Sequence, residues 1–162
     1  MKKLLGIAFL LFCCATVQAQ TITIYDLTNI SNLTDAQAHN FLVLNRLFKE
    51  LYTQDIDGFN LQYYQFGKSD IKKETVIVGA GIKKDDGSLL RKVTYNTTQG
   101  AYLYKVIAQA KQSGLNLAFQ GADRYKNIYL LENFLYSVHI YINVDNSGGT
   151  VEVQQKDFED FD

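Results

Sequence analysis

Apolar residues recur along the chain at two spacings, and the switch from one to the other marks out the elements. Ile22 and Ile24 alternate within a β-branched run, which predicts a first strand over Thr21 to Leu27. Asn29, Ser31 and Asn32 make a polar link. Thr34-Asp35-Ala36-Gln37 has the form of a capping box, in which the two end residues exchange side-chain-to-backbone hydrogen bonds. Phe41, Leu44, Phe48, Leu51 and Tyr52 then return every three or four residues, which predicts a helix over Asp35 to Thr53, with Gly58 marking its exit.

Period two follows. Phe59 to Tyr63 alternates; Val76, Val78, Ala80 and Ile82 share one face of a second strand; Leu89 to Tyr95 makes a third. Asp85-Asp86-Gly87-Ser88 supplies hairpin chemistry, since Gly accepts φ > 0 and Asp tolerates it. Leu103, Val106, Ile107 and Ala110 then predict a second helix over Thr98 to Ser113, stopped by Gly114 in the left-handed position that ends many helices. Beyond it Leu115, Leu117 and Phe119 alternate, as do Phe134, Tyr136, Val138, Ile140 and Ile142. Asp145-Asn146-Ser147-Gly148-Gly149 turns the chain into a last strand with Val151 and Val153.

The order repeats. Gly58-Phe59-Asn60-Leu61 matches Gly114-Leu115-Asn116-Leu117 at an offset of 56, and Val76, Val78, Ala80, Ile82 and Asp85 map onto Tyr136, Val138, Ile140, Ile142 and Asp145 at 60. Val93 maps onto Val153, also at 60. The expectation is an α+β fold: a tandem duplication of an α-β-β-β unit, with pseudo-repeats over 34–95 and 98–155, building one antiparallel sheet with two helices on one face.

The first nineteen residues stand outside that pattern. Lys2 and Lys3 precede a run of twelve apolar or small residues, Leu4 to Ala15, and Val17-Gln18-Ala19 offers small residues at the spacing a signal peptidase cuts. That predicts a bacterial secretory leader over 1–19, too short to span a bilayer, and a single domain over 20–156 exported to the periplasm, cell surface or medium. Cys13 and Cys14 both fall in the leader, so the exported chain would hold no disulfide and rely on its core. Residues 157–162 form an acidic tail with two phenylalanines.

Composition narrows the function. Without Lys2 and Lys3, 14 basic residues stand against 17 acidic ones, a net charge of −3, and no basic stripe is present for nucleic-acid phosphates. Val76-Ile77-Val78-Gly79-Ala80-Gly81 opens like a dinucleotide fingerprint, but Lys84 stands where the third glycine belongs and a turn follows where a helix is needed. The glycines predict a bare stripe where the strand bends or something packs. Asp55-Ile56-Asp57-Gly58 fails as a calcium loop, since Phe59 takes a ligand position. No metal or cofactor is expected.

The remaining chemistry is polar and aromatic. His139 alternates with Ser137, Tyr141 and Asn143 opposite the apolar set of its strand, and a hairpin centred on Asn146-Ser147 would bring Gln154 across from His139 and Glu152 across from Tyr141. Tyr63 and Tyr64 are adjacent, so one points away from the core. Taking Tyr64 as that one, the solvent face gathers Tyr64, His139, Tyr141 and Glu152 with Asn60, Gln62, Gly79, Gly81, Lys83, Lys92 and Gln154. This mixture suits recognition, because tyrosines give contact area at small entropic cost. The sequence therefore predicts a non-catalytic module that binds a protein or glycan in the cell envelope, with Tyr64, His139, Tyr141 and Glu152 as its contact residues. The alternatives are a small hydrolase or isomerase using His139 and Glu152, or a self-associating envelope protein.

Overall fold

A computed structural model describes residues 22–66 and 73–157. The leader and residues 158–162 of the tail lie outside the described residues. Among the described residues eight antiparallel strands form one sheet, with three α-helices: α1 (Ile24–Ser31), α2 (Asp35–Asn40), β1 (Lys49–Ile56), β2 (Phe59–Phe66), β3 (Glu74–Lys83), β4 (Leu89–Thr97), α3 (Gly100–Gln112), β5 (Asn116–Ala122), β6 (Lys126–Glu132), β7 (Tyr136–Asn143) and β8 (Gly149–Gln155). The α+β class and the antiparallel sheet agree with the sequence. Strand order is β1-β2-β3-β4-β8-β7-β6-β5, so two four-stranded meanders meet at β4 and β8.

Three sequence expectations are corrected. The first strand is α1 instead. Thr23 and Asp26 form a capping box: the Thr23 hydroxyl accepts from the Asp26 N–H, and the Asp26 carboxylate accepts from the Thr23 N–H at 2.9 Å. Ile24, Leu27 and Ile30 are buried at helical spacing, and the mostly buried Asp26 carboxylate is paired with Arg46. The long helix from Asp35 to Thr53 is also cut short. After α2 the chain makes a π-helical turn over Phe41–Asn45, and Leu47 takes φ 57°, a left-handed conformation that ends the helix. Residues 49–56 are then free to run as β1, and Asp57 and Gly58, both at positive φ, form the two-residue hairpin into β2. Finally, the stretch between the strands after Gly114 holds β6, so each half of the sheet has four strands rather than three.

The helix stop at Gly114 and the turn at Gly87 stand where the sequence places them. Gly114 sits at φ 85° just past α3, and the Leu115 N–H returns to the Ala110 carbonyl at 3.0 Å. Gly87 takes φ 83° in the β3–β4 turn, with Asp86 accepting from the Ser88 N–H at 2.8 Å. Gly79 and Gly81 lie on a strand, as the failed fingerprint implied. Gly79 has φ 94° within an irregularity of the β3–β4 ladder between Ile77 and Ala80, where the strand bends.

The core lies against one face of the sheet. Tyr64, Val76, Tyr95, Val151, Ile140 and Tyr129 form a row of successive register partners across β2, β3, β4, β8, β7 and β6, and all but Tyr129 are fully buried. Leu27 and Ile30 of α1 and Leu103, Val106 and Ala110 of α3 belong to the same core cluster. The Tyr95 hydroxyl donates to the buried Glu74 carboxylate at 2.9 Å. Burial, then the Glu74 charge, push its phenol far above the ordinary tyrosine value.

Candidate functional site

The opposite face of the sheet carries one residue from each strand in an unbroken row of register partners: Tyr52, Tyr63, Ile77, Thr94, Glu152, His139, Leu130 and Phe119. The ends of this row are aromatic and its centre is polar. Tyr52 and Tyr63 stack with ring centroids 4.4 Å apart and planes at 21°. At the far end Phe119 is 53% exposed and stands beside Leu130.

His139, Tyr141 and Glu152 all lie on this face, as alternation predicted. The register differs by two residues from expectation. Glu152 stands opposite His139, Gln154 opposite Ser137 and Thr150 opposite Tyr141. The turn is centred on Asp145-Asn146: Asn146 takes φ 57° and Asp145 accepts from the Ser147 N–H at 2.9 Å, which moves the hairpin axis one residue earlier. Lys92 joins the cluster across β4, opposite Gln154.

Tyr64 is the exception. It is fully buried on the core face, and Gln62 and Asn60 share its parity. Its hydroxyl donates to Gln62 Oε1 at 2.7 Å, which leaves it to accept from His39 Nδ1 at 3.1 Å. The same imidazole nitrogen lies 3.2 Å from the Glu50 carboxylate, so α2 and the edge strand β1 close together over the phenol. Gly81, opposite Arg91, likewise falls on the core side, where Arg91 pairs with Asp35. The face takes its outward tyrosine from Tyr63. Sequence reasoning missed Tyr52 altogether, because β1 was read as helix.

Burial pushes the Tyr64 hydroxyl up to about 12, with smaller contributions from the negative charges of Glu50 and Asp35. The sign follows. A phenol that stays neutral in the folded chain while it ionises near 10 in the unfolded one adds stability that is complete below about pH 10 and lost as pH rises through about 12. Urea midpoints measured across that window are expected to fall with pH, and to fall less steeply in Tyr64→Phe. An equal slope in the two proteins would remove Tyr64 as a source of the decline.

The chemistry around His139 is a hydrogen-bonded chain along its own strand. Ser137 Oγ lies 3.2 Å from His139 Nε2 and donates to Glu132 Oε1 at 3.3 Å; the Tyr141 hydroxyl lies 3.4 Å from His139 Nδ1. The single hydroxyl hydrogen of Ser137 goes to Glu132, so His139 Nε2 donates to Ser137 Oγ. Glu152 reaches Lys92 Nζ at 3.8 Å, and Lys126 Nζ stands 5.6 Å above the Tyr141 ring. Burial, then the Glu152 charge, raise the Tyr141 phenol.

Glu152 pairs with Lys92, and the imidazole has a hydroxyl partner at each nitrogen. The surface hollows near Ile82–Asp86, near Leu135–Lys156 and near Asn29–Asn45 are lined by other residues. Among the described residues no three of His, Cys, Asp and Glu are grouped to hold a metal ion, and no helix is long and apolar enough to cross a membrane. No protein-family model, no curated protein and no solved structure matches this chain.

Proposed function

We propose that the protein is a non-catalytic binding module of the bacterial cell envelope that docks a folded protein on the open sheet face. The observation that carries this reading is the row from Tyr52 to Phe119, which puts aromatic anchors at both ends of a polar, hydrogen-bonded centre. Eight strands at a spacing of about 4.8 Å span roughly 34 Å, and strands of seven or eight residues run roughly 25 Å. That area is about the 800 Å² each partner contributes to a standard protein–protein interface. A short glycan would use a fraction of it. Export by the leader fits a partner in the periplasm, at the cell surface or in the medium.

A duplicated architecture accounts for such a face, with all helices on the other side. The β1–β2 register, Lys49 with Gln65 and Tyr52 with Tyr63, recurs in β5–β6 as Asn116 with Glu132 and Phe119 with Leu130. Each ladder has its irregularity at the same step, after the second residue of the edge strand. The Gly58 and Gly114 stretches that first suggested a repeat do not correspond. Gly58 sits in the β1–β2 turn, whereas Gly114 precedes β5. The duplication we propose therefore runs from helix through four strands, with Tyr52 and Tyr63 answering Phe119 and Leu130.

The test is affinity capture from envelope and secreted fractions of the source cell, comparing the native chain with a triple variant, Tyr63→Ala, His139→Ala and Tyr141→Ala. The expected result is a stoichiometric protein bound by the native chain and held at least about a hundredfold more weakly by the variant, with the urea midpoint little changed. Equal retention by both would place the contact elsewhere and overturn the reading. The same holds if only the native face bound a soluble glycan and no protein.

A further inference from the structure

Among the described residues the sheet ends in two edge strands, β1 and β5, each with backbone N–H and C=O groups on its outer side that no described strand meets. Their side chains differ in kind. β1 carries Lys49, Glu50 and Asp55 among its eight residues. Paired antiparallel with a second β1 about its midpoint, it would set Glu50 opposite Asp55, two like charges in direct register. β5 reads Asn-Leu-Ala-Phe-Gln-Gly-Ala, with no charge and no proline, and six of its seven residues are exposed. Natural sheets guard such an edge with charges, proline, a bulge or a covering element; β5 has its irregularity after Leu117 but neither charge nor proline, and the run from Phe119 onward is regular.

We propose that β5 pairs antiparallel with β5 of a second copy, about a two-fold axis at Gln120. In this register Gln120 stands opposite Gln120 of the second copy, Ala118 opposite Ala122, and Phe119 opposite Gly121. The pairing suits the strand's own shape. Within one chain the Phe119 ring already lies over Gly121, where an added Cβ would come within 2.6 Å of Cζ. Phe119 of the second copy reaches the same bare glycine from across the ladder, so each glycine is covered from both sides on the open face. The two amides at the axis can exchange hydrogen bonds on the other face. No like charges meet anywhere along the ladder, and the contact is isologous: it uses β5 of both copies and leaves the charged β1 strands outermost, so assembly stops at two. The pairing runs along the strand edge and shares Phe119, at its far end, with the face proposed for a protein partner.

Sedimentation equilibrium of the full chain, with Cys13→Ser and Cys14→Ser to remove thiols, tests the pairing. A monomer–dimer equilibrium is expected below about 100 µM. Gln120→Lys places two ammonium groups opposite each other at the axis and is expected to weaken the dimer at least about tenfold, while Thr53→Lys in the middle of β1 leaves it unchanged. In the same background Gln120→Cys is expected to oxidise to a covalent dimer, since opposed residues at about 5 Å are within reach of a disulfide. A native chain that stays monomeric, or a dimer indifferent to Gln120→Lys, would overturn the proposal. So would a dimer broken by Thr53→Lys. None of these results bears on the His139–Tyr141 face, whose variants leave Gln120 untouched.

Discussion

Ile140→Ala is expected to lower the unfolding free energy by about 3 to 4 kcal/mol, a sizeable part of the 5 to 15 kcal/mol typical of a domain. Ile140 is fully buried in the third strand of the second meander, directly between Val151 and Tyr129 and in the same cluster as the α3 side chains. Truncation removes apolar area and leaves a cavity that a sheet, fixed by ladders on both sides, cannot collapse to fill. The informative comparison is with its chain neighbour. His139 points to the opposite face, and His139→Ala is expected to cost no more than about 1 kcal/mol, the usual range for a partly exposed polar residue. Urea unfolding of the two variants with unchanged m-values checks both figures. Equal losses would mean that β7 does not separate a core face from an open one, and the binding proposed for that face would go with it.

Gly79→Ala is the second large effect expected, at about 3 kcal/mol or more. Two costs combine. At φ 94° any side chain is strained, which accounts for about 1 to 2 kcal/mol. The added Cβ would also fall 2.2 Å from the Asn60 carbonyl oxygen, a backbone atom of β2 that can yield only by shifting the strand. Gly87 separates the two. It has φ 83° and nothing within 4 Å of an added Cβ, so Gly87→Ala carries the conformational cost alone. The difference between the variants measures the close approach of β2 to β3. If Gly87→Ala were as damaging as Gly79→Ala, the contact with Asn60 would contribute nothing.

Much of the sheet was legible because alternation and turn chemistry agreed. Val138, Ile140 and Ile142, with Val151 and Val153 after the turn, leave no competing reading for β7 and β8, and the placement of His139, Tyr141 and Glu152 on the open face follows from them. The failures have physical causes. β1 buries none of its residues, so it carries no alternation to read, and the spacing of Phe41, Leu44, Phe48 and Leu51 imitates a helical face. β2 is apolar at both parities, with Leu61 and Tyr63 on one side and Tyr64 and Phe66 on the other, so its phase was undetermined. What decides it is α2, whose His39 meets the Tyr64 hydroxyl from a helix the sequence had drawn too long. Thr23-Ile24-Tyr25-Asp26 did carry the signal for α1, in the same capping form that was recognised at Thr34, but its β-branched residues favoured the strand reading. β6 gave no clean alternation between Ile128 and Leu131 and so passed for a connection.

The strand order has a consequence for how the chain is made. β8, the last strand of the described residues, lies in the middle of the sheet, with Val93 and Val138 on either side of Val153. Until residues 149–155 have left the ribosome, β4 and β7 each present a long raw edge, and the two meanders have nothing to join them. The slow, non-local step of folding is therefore the joining of the two meanders by β8. A chain stopped at the β7–β8 turn would carry most of the apolar core yet no way to cover it, and such products are expected to go to proteases or aggregates.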